Sequence, residues 1–122
     1  MRSLPLYACA ALTAQAFFSH AWAADAARGK QLYESRCIGC HSIDSNRVGP
    51  AHQGVVGRKA GSVKDYDYSD ALKKTKVIWS EKTLDRWLTN PEKLIPGQKM
   101  GFSVPEPKDR ADLIEYLKRE SR

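Results

Sequence analysis

Cys37-Ile38-Gly39-Cys40-His41 is the stretch on which the reading of this chain turns. Two thiols three positions apart, followed at once by an imidazole, allow four readings. A C-x-x-C pair can be a thioredoxin-like redox site, which needs a strand–helix setting. It can be half of a zinc site, which in a structural role usually needs four protein ligands. It can attach a c-type haem: each thiol adds across one vinyl group, and the neighbouring histidine is placed under the iron. The fourth reading is coincidence.

The flanks narrow the choice. Residues 25–37 carry Ala26, Gly29, Leu32 and Tyr33 on a helical spacing. Ser69 can cap a short helix through Lys74, its hydroxyl accepting from a free N–H of the first turn. Ser80 can cap another, containing Leu84, Trp87 and Leu88 and closed by Pro91. Asp109 can cap the last, with Leu113, Ile114, Tyr116 and Leu117 as its apolar stripe. No alternating strand pattern persists, so the expected fold is all-α, and the thioredoxin reading loses its setting. Between these helices, residues 42–67 form a long glycine-containing stretch with Val48-Gly49-Pro50, Gly54-Val55-Val56-Gly57 and Gly61. A loop that long is unusual unless something organises it, and a bound cofactor is such a thing.

The N-terminus bears on the ligand count. Arg2 is followed by the nearly apolar run Leu4 to Phe18, then by Ala21-Trp22-Ala23, a small-x-small cleavage pattern. This reads as a secretory signal peptide over residues 1–23. Without it the chain is 99 residues long, 24–122, with a net charge of +5, because Arg2 is the only charged residue lost. Met1, Cys9 and His20 go as well. What remains is Cys37, Cys40, His41, His52 and Met100. A zinc site would then have to recruit His52. Export instead favours haem, which bacteria attach to c-type proteins outside the cytoplasm, so the expected location is the periplasm. A single domain this short often needs support from a cofactor.

Composition excludes several classes. Hydrophobic residues make up 42% and charged residues 28%, as in an ordinary globular protein and unlike a disordered tail. No apolar run reaches the roughly 20 residues of a membrane-spanning helix, so no stable membrane insertion is expected. The basic residues are scattered and no nucleic-acid reader motif occurs, so no nucleic-acid partner is expected.

A haem iron that only transfers electrons takes a second axial ligand. Histidine with methionine is the usual pairing, and the thioether raises the potential. Met100 and His52 are the candidates. A lone methionine is ordinarily core filler. The position of Met100 at the end of Ile95-Pro96-Gly97-Gln98-Lys99-Met100, and its uniqueness in the chain after cleavage, favour it as ligand.

From about Gly29 to Lys118 the chain resembles the class I cytochrome c family, in its soluble bacterial and mitochondrial-type members. Besides the haem motif, the markers are Val48-Gly49-Pro50, Gly57-Arg58-Lys59, Tyr68-Ser69, Trp79, Trp87-Leu88-Thr89-Asn90-Pro91, the Met100 loop and Arg110-Ala111-Asp112-Leu113-Ile114-Glu115-Tyr116-Leu117. The resemblance implies the cytochrome c fold around one haem c attached to Cys37 and Cys40, with His41 and Met100 on the iron. It implies that the Pro50 carbonyl accepts from the other ring nitrogen of His41. It implies that Arg58, Tyr68 and Trp79 bond a haem propionate, that Phe102 lies beside the haem, and that Gly29 lets the terminal helices cross closely. Tyr33, Leu113 and Tyr116 would fill that crossing.

Some positions depart from the family pattern. His52 stands where an aliphatic residue usually packs on the haem. Trp87 stands where a tyrosine often bonds the methionine sulfur, although its indole N–H can donate. Glu92 and Glu106 occupy positions that are often basic, while Arg36, Arg47 and Lys99 remain at the expected haem edge.

The function implied is one-electron transfer, not enzymatic turnover. The expected donor is a redox protein such as a cytochrome c reductase or dehydrogenase. The expected acceptor is one such as a terminal oxidase or peroxidase, and the carrier itself is expected to be a monomer. The alternative is a haem enzyme or ligand-binding haem protein, peroxidase-like, with a labile sixth ligand.

Overall fold

The computed structural model describes residues 22–122. The predicted leader, with Arg2, Cys9 and His20, lies outside the described residues apart from Trp22 and Ala23. Among the described residues there are five helices and no strand, only an isolated antiparallel bridge between Lys59 and Ile78. None of these helices is long and apolar enough to cross a membrane.

Asp25 opens α1 (Ala26–Arg36) by accepting the N–H groups of Ala27 and Arg28 at 2.9 and 3.1 Å. These are two of the donors that the first helical turn leaves free. Ser69 opens α2 (Asp70–Lys74) through the Leu72 N–H, as the sequence predicts. Ser80 opens α3 (Glu81–Thr89) with a reciprocal box: its hydroxyl accepts from Thr83 N–H at 3.1 Å, and the Thr83 hydroxyl accepts from Ser80 N–H at 2.8 Å. Pro91 ends α3 as expected, but it also starts α4 (Pro91–Leu94), a helix that the sequence reading omits. Asn90 serves both, ending α3 and capping α4 through Lys93 N–H at 3.0 Å.

The last helix corrects an expectation. α5 spans Pro107–Arg119, two residues ahead of the predicted Asp109 cap, and among the described residues no side chain caps it. Pro107 suits the first helical position because its missing N–H is one that position leaves free anyway. Asp109 therefore lies inside the first turn. Its carboxylate is taken by two arginines of α1, Arg28 at 2.6 Å and Arg36 at 2.9 Å.

α1 packs on α5, and α3 packs on α4 and α5. The α1–α5 crossing is set by Gly29: a Cβ there would stand 1.9 Å from the Asp112 carbonyl oxygen. Tyr33 is buried at this crossing with its ring 5.3 Å from that of Tyr116. Asp112, fully buried, accepts from Asp25 N–H at 2.8 Å, from Arg28 at 2.7 Å and from Lys108 at 2.9 Å. A buried carboxylate is tolerated only when so paired. Leu113, Ile114 and Leu117 turn inward from α5 to meet Leu32, Leu84 and Val104 in one core. Each such fully buried aliphatic side chain contributes about 1.5–3 kcal/mol.

The long segment 42–67 is held by local bonds. Asn46 donates to the Lys64 carbonyl at 3.0 Å and accepts from Ala51 N–H at 2.9 Å. Tyr66 donates to the Val48 carbonyl at 2.6 Å. Within the segment, Arg58 is tied to Trp79, whose backbone N–H donates to the Arg58 carbonyl at 2.9 Å.

Candidate functional site

The last turn of α1 runs straight into the haem motif. Cys37 N–H donates to the Tyr33 carbonyl at 2.8 Å, and His41 N–H folds back on the Cys37 carbonyl at 2.9 Å. That tight turn brings both thiols and the imidazole to the mouth of one cavity of about 360 Å³. Cys37 is half-buried, Cys40 is exposed, and neither is in a disulfide. Burial pushes the Cys37 thiol up to about 11, with Arg36 opposing. Among the described residues there is no strand, so the strand–helix setting of a thioredoxin-like site is missing. Among the described residues no three metal-binding side chains cluster in the manner a zinc site needs.

All eight residues singled out in the sequence line this cavity: Cys37, Cys40, His41, Pro50, Arg58, Tyr68, Trp79 and Met100. His41 Nδ1 lies 2.9 Å from the Pro50 carbonyl oxygen. Burial pushes the His41 ring down, with the Pro50 bond opposing. The Gly49 backbone stands over the ring. A Cβ there would lie 2.1 Å from Cε1, 2.5 Å from Nδ1 and 2.6 Å from Nε2, nearly equal distances that place it above the ring face.

Arg58 donates to the carbonyls of Gln53 at 2.7 Å and Ala51 at 2.9 Å. A guanidinium has five N–H donors, so others remain for an anion in the cavity. The Tyr68 hydroxyl accepts from Val63 N–H at 3.1 Å, which leaves its own proton free to donate. Trp79 is buried and meets Trp87 edge-on, with ring centroids 5.3 Å apart. Trp87 itself also lines the cavity. Phe102 and Lys99 line the cavity beside Met100.

The expected basic edge is weaker than its residue types suggest. Arg36 lines the cavity but is paired with Asp109 at 2.9 Å. Arg47 does not line it; its guanidinium bonds the Ile38 carbonyl inside the motif.

Two arrangements escaped the sequence. Glu92, noted there only for its charge, holds the Met100 loop. Its carboxylate accepts from Gly97 N–H at 3.0 Å and from the Gln98 side chain at 3.3 Å, and Gln98 in turn accepts from Gly101 N–H at 3.1 Å. The signal was the carboxylate four residues ahead of the Pro96-Gly97 turn. His52 stacks on His41, ring centroids 4.0 Å apart and planes 21° apart, and its Nδ1 lies 2.9 Å from the Tyr33 hydroxyl. No spacing rule pairs residues 33 and 52.

The donor set suits a c-type haem. Two thiols, an imidazole with one nitrogen already engaged and a thioether face a cavity floored by Val55, Leu72, Leu84 and Leu113, with Arg58 and Tyr68 as polar groups.

Comparison with known proteins agrees. The family described as Cytochrome c matches residues 26–120. Cytochrome c of Cochliobolus lunatus is 44% identical over 102 residues, covering 80% of this chain and 94% of that protein. Cytochrome c of Arabidopsis thaliana is 44% identical over 102 residues, covering 80% and 91%. Among solved structures, cytochrome cH from Methylobacterium extorquens superposes with a TM-score of 0.74 at 44% identity, covering 78% of this chain and 98% of that one. The chain belongs to the cytochrome c family, and with Cys37, Cys40 and His41 in place it carries one covalently attached haem c.

Proposed function

We propose that this cytochrome c is a periplasmic one-electron carrier whose iron is held between His41 and Met100. The observation that carries the reading is the His41–Pro50 bond. With Nδ1 engaged at 2.9 Å, Nε2 is the ring's remaining ligand atom. A carbonyl on the other ring nitrogen fixes the tautomer and strengthens the ligand. Met100 belongs to the same cavity, on a loop that Glu92 holds. Bound there, the haem supplies an iron that accepts and returns one electron. The chain's own work is to keep that site rigid and dry. Arg58, Tyr68 and Trp79 are assigned to the haem propionate, offsetting the cost of holding its charge away from water.

Residues 1–23 are assigned as the cleaved leader and 24–122 as the carrier domain, working as a monomer. Donors are redox proteins such as a cytochrome c reductase or dehydrogenase, and acceptors are ones such as a terminal oxidase or peroxidase. The positive balance suits acidic docking faces, an attraction that weakens with salt.

Carbon monoxide tests the reading. The reduced protein should bind it slowly or not at all at neutral pH, because the sixth position is filled. Rapid binding would mean an open iron and a ligand-binding or peroxidase-like role instead. Intact mass tests the leader: exported protein should equal residues 24–122 plus one haem, and a mass that includes residues 1–23 contradicts the assignment.

A further inference from the structure

His52 is an oddity at a position beside the His41 ring that an aliphatic side chain could fill. An aliphatic side chain would fill the same volume without needing a hydrogen-bond partner. The imidazole has one in Tyr33, whose hydroxyl lies 2.9 Å from its Nδ1. Tyr33 is buried, with its ring edge-on to His52 at 5.6 Å and packed on Tyr116 at 5.3 Å. The backbone of His52 is anchored too, its N–H donating to the Ser42 carbonyl at 3.0 Å, one residue beyond His41.

A histidine ring rotates in a broad, roughly two-fold well about its last torsion. Packing alone leaves that angle loosely set. A hydrogen bond at one ring nitrogen selects it. The selected plane lies 21° from that of His41, with centroids 4.0 Å apart. Turning the His41 ring would break this stack as well as its bond to Pro50. A continuous run of contacts therefore leads from the α1–α5 crossing through Tyr116, Tyr33 and His52 to the His41 ring.

We propose that Tyr33 and His52 form a positioning pair that fixes the ring plane of His41 and thereby the orientation of the axial ligand on the iron. The proposal rests on His41 as axial ligand. The plane of an axial imidazole decides which iron d orbital holds the unpaired electron in the ferric state. It therefore sets how spin density spreads over the haem methyl groups, a quantity that stability alone does not move.

The test is proton NMR of the oxidised holoprotein, with histidines labelled by nitrogen-15, in the wild type, Tyr33→Phe, His52→Leu, the double variant and Tyr116→Phe. Tyr33→Phe removes only the hydroxyl and should change the spread of haem methyl shifts more than Tyr116→Phe does. His52→Leu should change it further. The double variant should match His52→Leu, because the hydroxyl acts only through His52. Wild-type methyl shifts in both single variants overturn the pair, as does an equal change in Tyr116→Phe, which would indicate general loosening of the helix crossing. If the wild type itself shows no strongly shifted His41 ring nitrogens, the axial assignment fails first and the pair falls with it.

Discussion

The ring nitrogen Nδ1 of His41 lies 2.9 Å from the carbonyl oxygen of Pro50, nine residues further along the chain. The bond closes a loop that begins in the haem motif and passes through Val48-Gly49-Pro50. Because the loop passes over the ring face, Gly49 has no room for a side chain. Gly49→Ala would place a methyl 2.1 Å from His41 Cε1. The ring or the loop must shift, and in either case the Pro50 bond lengthens. Purified variant should retain its thioether-bound haem but show a raised potential, because an imidazole that loses its carbonyl partner is a weaker donor and stabilises ferric iron less. A wild-type spectrum and potential would show that the loop adapts freely.

Gly29 makes a purely structural prediction. Its missing Cβ admits the Asp112 carbonyl, and a methyl would meet that oxygen at 1.9 Å. Gly29→Ala should separate α1 from α5 and destabilise the fold by about 1–3 kcal/mol, the usual range for overpacking. Denaturant unfolding of the holoprotein measures it. An unchanged midpoint would contradict the close crossing.

The carboxylates of α5 give the crossing a pH dependence. Arg28 chiefly, and then Arg36, hold Asp109 below the usual carboxylate range, against a smaller opposing effect of burial. For Asp112 burial is the largest single influence and acts upward, but the Asp25 N–H with Arg28 and Lys108 outweighs it, and the net direction is down. Both groups are more acidic folded than unfolded. Their stabilisation is therefore complete above the unfolded carboxylate value of about 3.9 and is lost as pH falls through the lower folded values. Asp112→Asn should be clearly less stable than wild type at pH 7, and the gap should narrow below about pH 4. A gap that stays constant down to acid unfolding would mean the charge of Asp112 contributes nothing.

Glu92 ties the carrier reading to a carboxylate outside the cavity lining. Its hold on Gly97 and Gln98 keeps the Met100 loop closed. Glu92→Ala removes two acceptor contacts, each worth about 1 kcal/mol. The methionine should leave the iron at a lower denaturant concentration than in wild type, with little change in the neutral spectrum. A loss of the sulfur ligand at wild-type conditions would assign Glu92 to the surface alone.

Most of the site was legible because its chemistry is local in sequence. The haem motif, the Met100 loop and the hydroxyl caps at Ser69 and Ser80 each depend on residues a few positions apart, and the structure forms the two caps as read. Asp109 was misplaced because a carboxylate near a helix start reads as a cap, whereas its partners, Arg28 and Arg36, come from the other end of the chain. α4 was hidden because Pro91 signals a helix end and a helix start equally well. The stack of His52 on His41 and its bond to Tyr33 join three segments, and no spacing rule brings them together.

The central claim is that Met100 completes the iron's coordination, and Met100→Ala tests it most directly, with His52→Leu as control. The haem should stay attached in both variants, because Cys37, Cys40 and His41 are untouched. A thioether favours ferrous iron, so Met100→Ala should lose the far-red sulfur band, fall in potential and gain affinity for carbon monoxide, with the iron turning high-spin or recruiting water or Lys99. His52→Leu should keep the sulfur band. If Met100→Ala retains the wild-type spectrum and potential while His52→Leu loses them, the sixth ligand is His52 and the account is wrong.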